Sequence, residues 1–283
     1  MQQGRASRTA LRVAMRRAAH QLYDEPLVFH DPLALRVLGE EDAARVLSET
    51  EAERNTPWVR GMRAFMAVRS RFAEDELATA MLRGARQYVV LGAGLDTFAC
   101  RNPHEDLMVF EVDHPATQAW KRCMIDAAGF QISHSVRFAP VDFERETLAE
   151  GLAAAGFCAD KPAFFSWLGV IPYLTEAAAM ATLACIAGLP QGSGVAFDYA
   201  MPRESLGATE QSTFDALAAR VAAAGEPFRL FLTPEDMELS LRTAGFSAIE
   251  DLNSVAINER YFAERKDGLR IRGTMGHLVS AWV

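Results

Sequence analysis

The sequence predicts a doubly wound α/β sheet, and three observations carry that expectation. From residue 86 onward, short apolar runs alternate with helical stretches. The runs are continuously apolar rather than alternating, as in parallel strands covered by helices on both faces. Each of the first three ends in glycine or an acid, the punctuation found where such strands meet a ligand. Tyr88-Val89-Val90-Leu91 ends in Gly92, Leu107-Met108-Val109-Phe110 ends in Glu111-Val112-Asp113, and residues 136–141 end in Asp142. Residues 163–167 and 194–199 supply a fourth and a fifth strand. Thr233-Pro234-Glu235-Asp236 combines an N-cap, a proline at the first helical position and two acids, which opens a helix that stops at Gly245. Residues 248–252 resume as strand, and residues 277–283 close the sheet as an antiparallel strand. Upstream, residues 5–83 read as helices interrupted at Asp31-Pro32 and Thr56-Pro57, the longest covering 58–82 with Arg60, Arg63, Arg69 and Arg71 among apolar neighbours. The predicted organisation is a helical cover over residues 1–85, a sheet domain over 86–283, and an insert at 201–232 above the acceptor site.

Composition narrows the class. The chain has 283 residues, 50% hydrophobic and 23% charged, with a net charge of −8. That is enough to bury a core, and its sign argues against a nucleic-acid partner. No run approaches the roughly 18 apolar residues of a membrane span. Cys100, Cys123, Cys158 and Cys185 lie far apart and form no metal framework. The basic N-terminus (Arg5, Arg8, Arg12, Arg16, Arg17) has no apolar stretch after it, so it is not read as a secretory signal, and the expected compartment is the cytoplasm. No oligomeric state follows from these features.

Gly92-Ala93-Gly94 lets backbone pass close to a ligand, and Asp96 and Thr97 can cap the next helix. Asp113 follows Gly94 by 19 residues, the spacing of an acid that holds a ribose diol, and Glu111 follows it by 17. A dinucleotide fingerprint calls for a third glycine where Thr97 stands. Asp96 would also set a carboxylate against a pyrophosphate. S-adenosylmethionine has no phosphate and carries cationic sulfonium and ammonium groups, so electrostatics favour a methyltransferase over an NAD-dependent oxidoreductase.

The motifs resemble those of the leucine carboxyl methyltransferase family, within the Rossmann-like class I methyltransferases that use S-adenosylmethionine. The likeness runs through Gln87-Tyr88-Val89-Val90-Leu91-Gly92-Ala93-Gly94-Leu95-Asp96-Thr97 with Arg101, Phe110-Glu111-Val112-Asp113-His114-Pro115 with Lys121, Val141-Asp142-Phe143, and Gly169-Val170-Ile171-Pro172-Tyr173-Leu174-Thr175. Upstream it includes Ser7-Arg8-Thr9-Ala10, Asp31-Pro32 and Arg69-Ser70-Arg71-Phe72-Ala73-Glu74-Asp75. The resemblance implies that Arg69, with Arg8 as a second cation, meets the methionine carboxylate of the cofactor. It implies that Gly92, Ala93 and Gly94 pass beneath the methionine, and that Asp113, beside Asp96, Glu111 and His114, takes the ribose. Asp142 and the Phe143 backbone would meet the adenine. One position departs from the family: Leu168 stands where members often have a glutamate, five residues before Tyr173, leaving that contact to Trp167 or to backbone. This departure and the bacterial character of the motifs count against a protein C-terminus as substrate. They imply a small-molecule acceptor, as in natural-product pathways.

Methyl transfer needs alignment above all. A carboxylate acceptor needs no base, whereas an alcohol or phenol does. Among His20, His30, His104, His114, His134 and His277, His20 in the cover is the candidate base, and Tyr173 and Tyr199 lie where the acceptor enters. No compelling base stands out, which favours an oxygen acceptor already ionised. Phe214, Phe228, Phe231 and Leu232 suggest an apolar acceptor pocket.

Overall fold

A computed structural model describes residues 7–142 and 146–283. The chain runs α1 (Arg8–Tyr23), α2 (Gly39–Leu47), α3 (Glu51–Arg54), α4 (Pro57–Leu82), β1 (Gln87–Leu91), α5 (Phe98–Arg101), β2 (Met108–Asp113), α6 (Pro115–Ala127) and β3 (Val136–Pro140). It continues α7 (Leu148–Ala154), β4 (Ala163–Trp167), α8 (Glu176–Ala187), β5 (Gly194–Ala200), α9 (Ala208–Ala223), α10 (Pro234–Ala244), β6 (Ala248–Leu252), α11 (Ser254–Tyr261) and β7 (Gly276–Trp282). The seven strands form one sheet ordered β3-β2-β1-β4-β5-β7-β6. Strands β1 to β5 are parallel, and β7 pairs antiparallel with both β5 and β6, which is the predicted antiparallel C-terminal strand.

Burial explains the hydropathy pattern. Every residue of β1 and β4 is buried, so polar alternation has no face on which to appear, whereas edge strand β3 exposes Arg137 and Pro140. Tyr88 and Val90 point to one side of the sheet, where they pack with Ala64, Val68, Phe72 and Leu77 of α4. Val89 and Leu91 point to the other, with Leu152 of α7, Leu183 of α8 and Leu241 of α10. The long helix α4 is therefore a layer of the sheet's own core as well as part of the cover. Thr56 caps it by accepting from the Val59 amide, and Pro57 occupies its first turn. A third apolar cluster seats α1 on the glycine loop, joining Ala14, Ala18, Val37, Leu38 and Val46 to Leu95.

The order reverses between β1 and β4: the chain steps from β1 outward through β2 to β3, then crosses to β4 on the other side. A crevice opens at the carboxyl ends of strands at such a point.

Candidate active site

A cavity of about 750 Å³ occupies that crevice, within the roughly 300–1,000 Å³ usual for small-ligand sites. Its floor is the turn after β1. Gly92 (φ +65°) and Gly94 (φ +46°) adopt left-handed backbone, and a Cβ on Gly92 would lie 2.3 Å from Val170 Cγ2. Only glycine fits there, because both the conformation and the space exclude a side chain. The Gly92 and Ala93 amides donate to the Val112 carbonyl at 2.8 and 3.1 Å, which ties the turn to β2.

Asp113 ends β2 inside the cavity. Its two carboxylate oxygens accept from the Gly94 amide at 2.6 Å and the His114 amide at 2.7 Å. Burial pushes its carboxyl above the usual range, and these two amides work against that push. Each oxygen keeps a further lone pair for a ligand donor. Asp96 also lines the cavity, accepting from the Phe98 amide at 2.7 Å and from Arg17 at 3.3 Å. Burial opposes its ionisation, but Arg17, Arg101 and Lys121 outweigh that and hold its pKa below the usual value. Thr97 does not use its side chain as a cap; its hydroxyl accepts from Arg101 Nε at 3.0 Å.

The structure brings Arg69, Gly92, Ala93, Gly94, Asp96, Asp113, His114, Asp142, Leu168 and Tyr173 together on the cavity wall. Phe143 lies outside the described residues. Five expected site residues are elsewhere, each for a geometric reason. Arg8 is exposed and off the wall: α1 lines the cavity with Ala10, Val13, Ala14 and Arg17, spaced at i, i+3, i+4 and i+7, and with Thr9 beside them. Arg17 is therefore the α1 cation at the site, buried and bonded to Asp31 at 2.8 Å. Glu111 sits roughly 7 Å lower on β2 than Asp113, two residues of strand rise. There it is sealed against Lys121 of α6 at 2.7 Å, and burial pushes its carboxyl up to about 6. Trp167 faces away because β4 alternates: Ser166 and Leu168 turn to the cavity, and Trp167 packs at 6.5 Å from Phe197 on the opposite side. Tyr199 likewise leaves by the far face of β5, its hydroxyl donating to Asp251 at 2.6 Å beside His277. His20 is wholly buried in the cover. Its Nδ1 is 2.9 Å from Asp24, and its Nε2 accepts from the Val28 and Phe29 amides, so it holds a loop instead of meeting an acceptor.

Nor do the aromatics of the 201–232 segment line the cavity. Phe214, Phe228 and Phe231 pack on one another edge-on or tilted, with ring centroids 5.3–6.2 Å apart, and Leu232 is buried. What that segment brings to the mouth is polar. The Arg229 amide donates to the Pro172 carbonyl at 2.6 Å, placing Glu226, Pro227 and Arg229 on the wall. Glu226 accepts from the Thr9 amide at 3.2 Å and from its hydroxyl, so α1 and this segment meet across the opening. Tyr173 stands beside them, its hydroxyl pushed up to about 12 by burial, against the pull of a Thr9 hydrogen bond. Sequence reasoning missed Arg17, Glu226, Arg229 and the buried Tyr88–Ser166 hydroxyl pair, 2.8 Å apart on the wall. Of these, only Arg17 had a local signal, its helical spacing from Ala10.

The sheet order, the glycine turn after β1 and the buried acid that ends β2 together define a class I methyltransferase architecture. Two solved structures share the fold at a TM-score of 0.56: a methyltransferase-class protein from Thermobifida fusca, 18% identical over 88% of this chain and 93% of that one, and a DUF574 protein from Streptomyces avermitilis, 15% identical over 96% of each. The sequence profile described as leucine carboxyl methyltransferase matches residues 10–187. A Bacillus subtilis protein assigned as an S-adenosyl-L-methionine-dependent methyltransferase, YktD, is 32% identical over 98% of both chains. A Saccharopolyspora erythraea protein of the same assignment is 34% identical over 70% of this chain and 69% of its own. The chain belongs to the leucine carboxyl methyltransferase family and is an S-adenosylmethionine-dependent methyltransferase.

Proposed function

We propose that the chain methylates an oxygen, in first place a carboxylate, of a small molecule such as a natural-product intermediate, in the cytoplasm. The observation that carries the acceptor reading is the pairing of donors at the cavity mouth. Tyr173, whose hydroxyl stays protonated at neutral pH, and Arg229 both line the wall beyond the cofactor cradle. An anionic acceptor meets a hydroxyl donor and a guanidinium there, and charge-assisted hydrogen bonds of that kind orient as well as bind.

The residues present fit the cofactor. Gly92 and Gly94 keep the backbone of the turn bare on the cavity wall, where a Cβ would strike Val170 or crowd Ala10, and Asp113 offers a fixed carboxylate for the ribose hydroxyls. Asp142 lies on the wall for the adenine amine, and Arg69 for the methionine carboxylate. When bound, S-adenosylmethionine supplies an activated methyl group on a sulfonium. The chain's own part is to fix both reactants in line, worth up to about 7–11 kcal/mol, and to keep water out. Helix α1 and the 225–229 segment, joined by Thr9 and Glu226, close the cavity for that purpose. In this reading residues 1–85 and 201–232 act as the cover, and the 86–283 sheet carries the cofactor.

A hydroxyl acceptor is the second reading, and Glu226 favours it, because a carboxylate on the wall beside Tyr173 is placed to take a proton. The two readings part on methyl transfer to a panel of carboxylic acids and phenols. A carboxylate acceptor gives a rate nearly flat between about pH 6 and 9, whereas a hydroxyl acceptor gives a rising limb and loses on the order of 10²-fold in Glu226→Gln. Methylation of phenols with none of any carboxylic acid overturns the first reading.

A further inference from the structure

Asp198 is buried in β5 and does not line the cavity, yet it holds a residue that does. Its Oδ2 accepts from Arg69 Nη1 at 3.2 Å, and its Oδ1 accepts from the Gly169 amide at 2.5 Å. Gly169, just past β4, has φ +70°, and a Cβ there would stand 2.7 Å from Arg69 Nη1 and 3.0 Å from Nη2. The guanidinium therefore lies flat over a glycine, clamped from one edge by Asp198. A buried ion pair is a poor source of stability, since apolar residues of equal volume serve as well. A guanidinium has five donors in a rigid fork, and holding one edge aims the others.

We infer that Asp198, with Gly169, is a positioning residue that aims Arg69 at the carboxylate of the cofactor's methionine moiety, an inference that rests on the reading of Arg69 given above. Asp198→Asn separates positioning from general support, because the amide keeps an acceptor for Gly169 and loses the charge that holds the guanidinium.

The test is calorimetry with two ligands: S-adenosylhomocysteine, and 5′-methylthioadenosine, which keeps the nucleoside and thioether but lacks the amino-acid carboxylate. Asp198→Asn is expected to weaken S-adenosylhomocysteine about tenfold, the scale of one charge-assisted bond, and methylthioadenosine by less than about twofold. Arg69→Met shows the same selectivity, and the double variant binds no more weakly than Arg69→Met alone. Equal loss of both ligands in Asp198→Asn makes the role merely structural and overturns the inference. Unchanged S-adenosylhomocysteine binding in Asp198→Asn, with loss in Arg69→Met, overturns it while leaving the Arg69 reading intact. Unchanged binding in Arg69→Met removes that reading and the inference with it. Should Asp198→Asn yield no folded protein, Gly169→Ala decides. It drives a methyl into the guanidinium, so the same selective loss supports the inference and full retention overturns it.

Discussion

Asp113 holds the glycine turn with both carboxylate oxygens and also lines the cavity, so its substitution is expected to have two separable effects. In Asp113→Asn one oxygen is replaced by an amide NH2 that points at a backbone N–H, leaving a donor against a donor. The mismatch costs about 1–3 kcal/mol of stability, read as a lowered denaturant midpoint. Loss of the charged acceptor weakens S-adenosylhomocysteine on the order of tenfold or more. Affinity unchanged by this substitution would remove Asp113 from the ribose site. Its place on the cavity wall was legible in the sequence because spacing after a glycine turn is a local signal. Asp198 was not, since its partner Arg69 lies 129 positions away and nothing local marks the pair.

At the scale of the element, strand alternation decides which legible residues reach the site. The apolar runs located β4 and β5, but not which face each residue takes, so Trp167 and Tyr199 were drawn to the cavity while Leu168 and Asp198 hold that side. Helix α1 repeats the lesson, with Arg17 on the inner stripe and Arg8 off it. On β2 the same geometry buries Glu111 with Lys121, and its Oε2 has no hydrogen-bond partner among the described residues. Burial raises this carboxyl from 4.5 to about 6 in the fold, so folding binds its proton more tightly. Its contribution is fully present below about pH 4.5 and is lost as pH rises through about 6. Wild-type stability minus that of Glu111→Gln, from denaturant unfolding, is expected to fall by about 2 kcal/mol between about pH 4 and 7. A difference that is flat or rises with pH contradicts the raised carboxyl.

At the scale of the whole molecule, the cavity is a joint product of segments that the sequence separates widely. The glycine turn after β1 makes its floor, α1 and α4 make its walls, and the 225–229 segment closes its mouth. Thr9 and Glu226 are 217 positions apart, and their contact fastens the cover. Thr9 lies in the Ser7-Arg8-Thr9-Ala10 motif, but nothing local marks Glu226 or pairs the two, which is why the glycine turn and the acid after β2 were legible in advance and this contact was not. A nucleoside thioether that exchanges past this contact does so at a rate set by the strength of the contact rather than by the geometry beneath. Thr9→Val removes the hydroxyl donor at nearly constant volume and leaves the backbone donor to Glu226. S-adenosylhomocysteine is then expected to dissociate a few-fold faster in stopped flow, the loss of roughly 1 kcal/mol from one hydrogen bond. Association is expected to quicken by a similar factor, because a gate that opens more readily passes the ligand in both directions. Equal dissociation rates in the two proteins would mean that the cofactor leaves by another opening, and that the Thr9–Glu226 contact shapes the acceptor side alone.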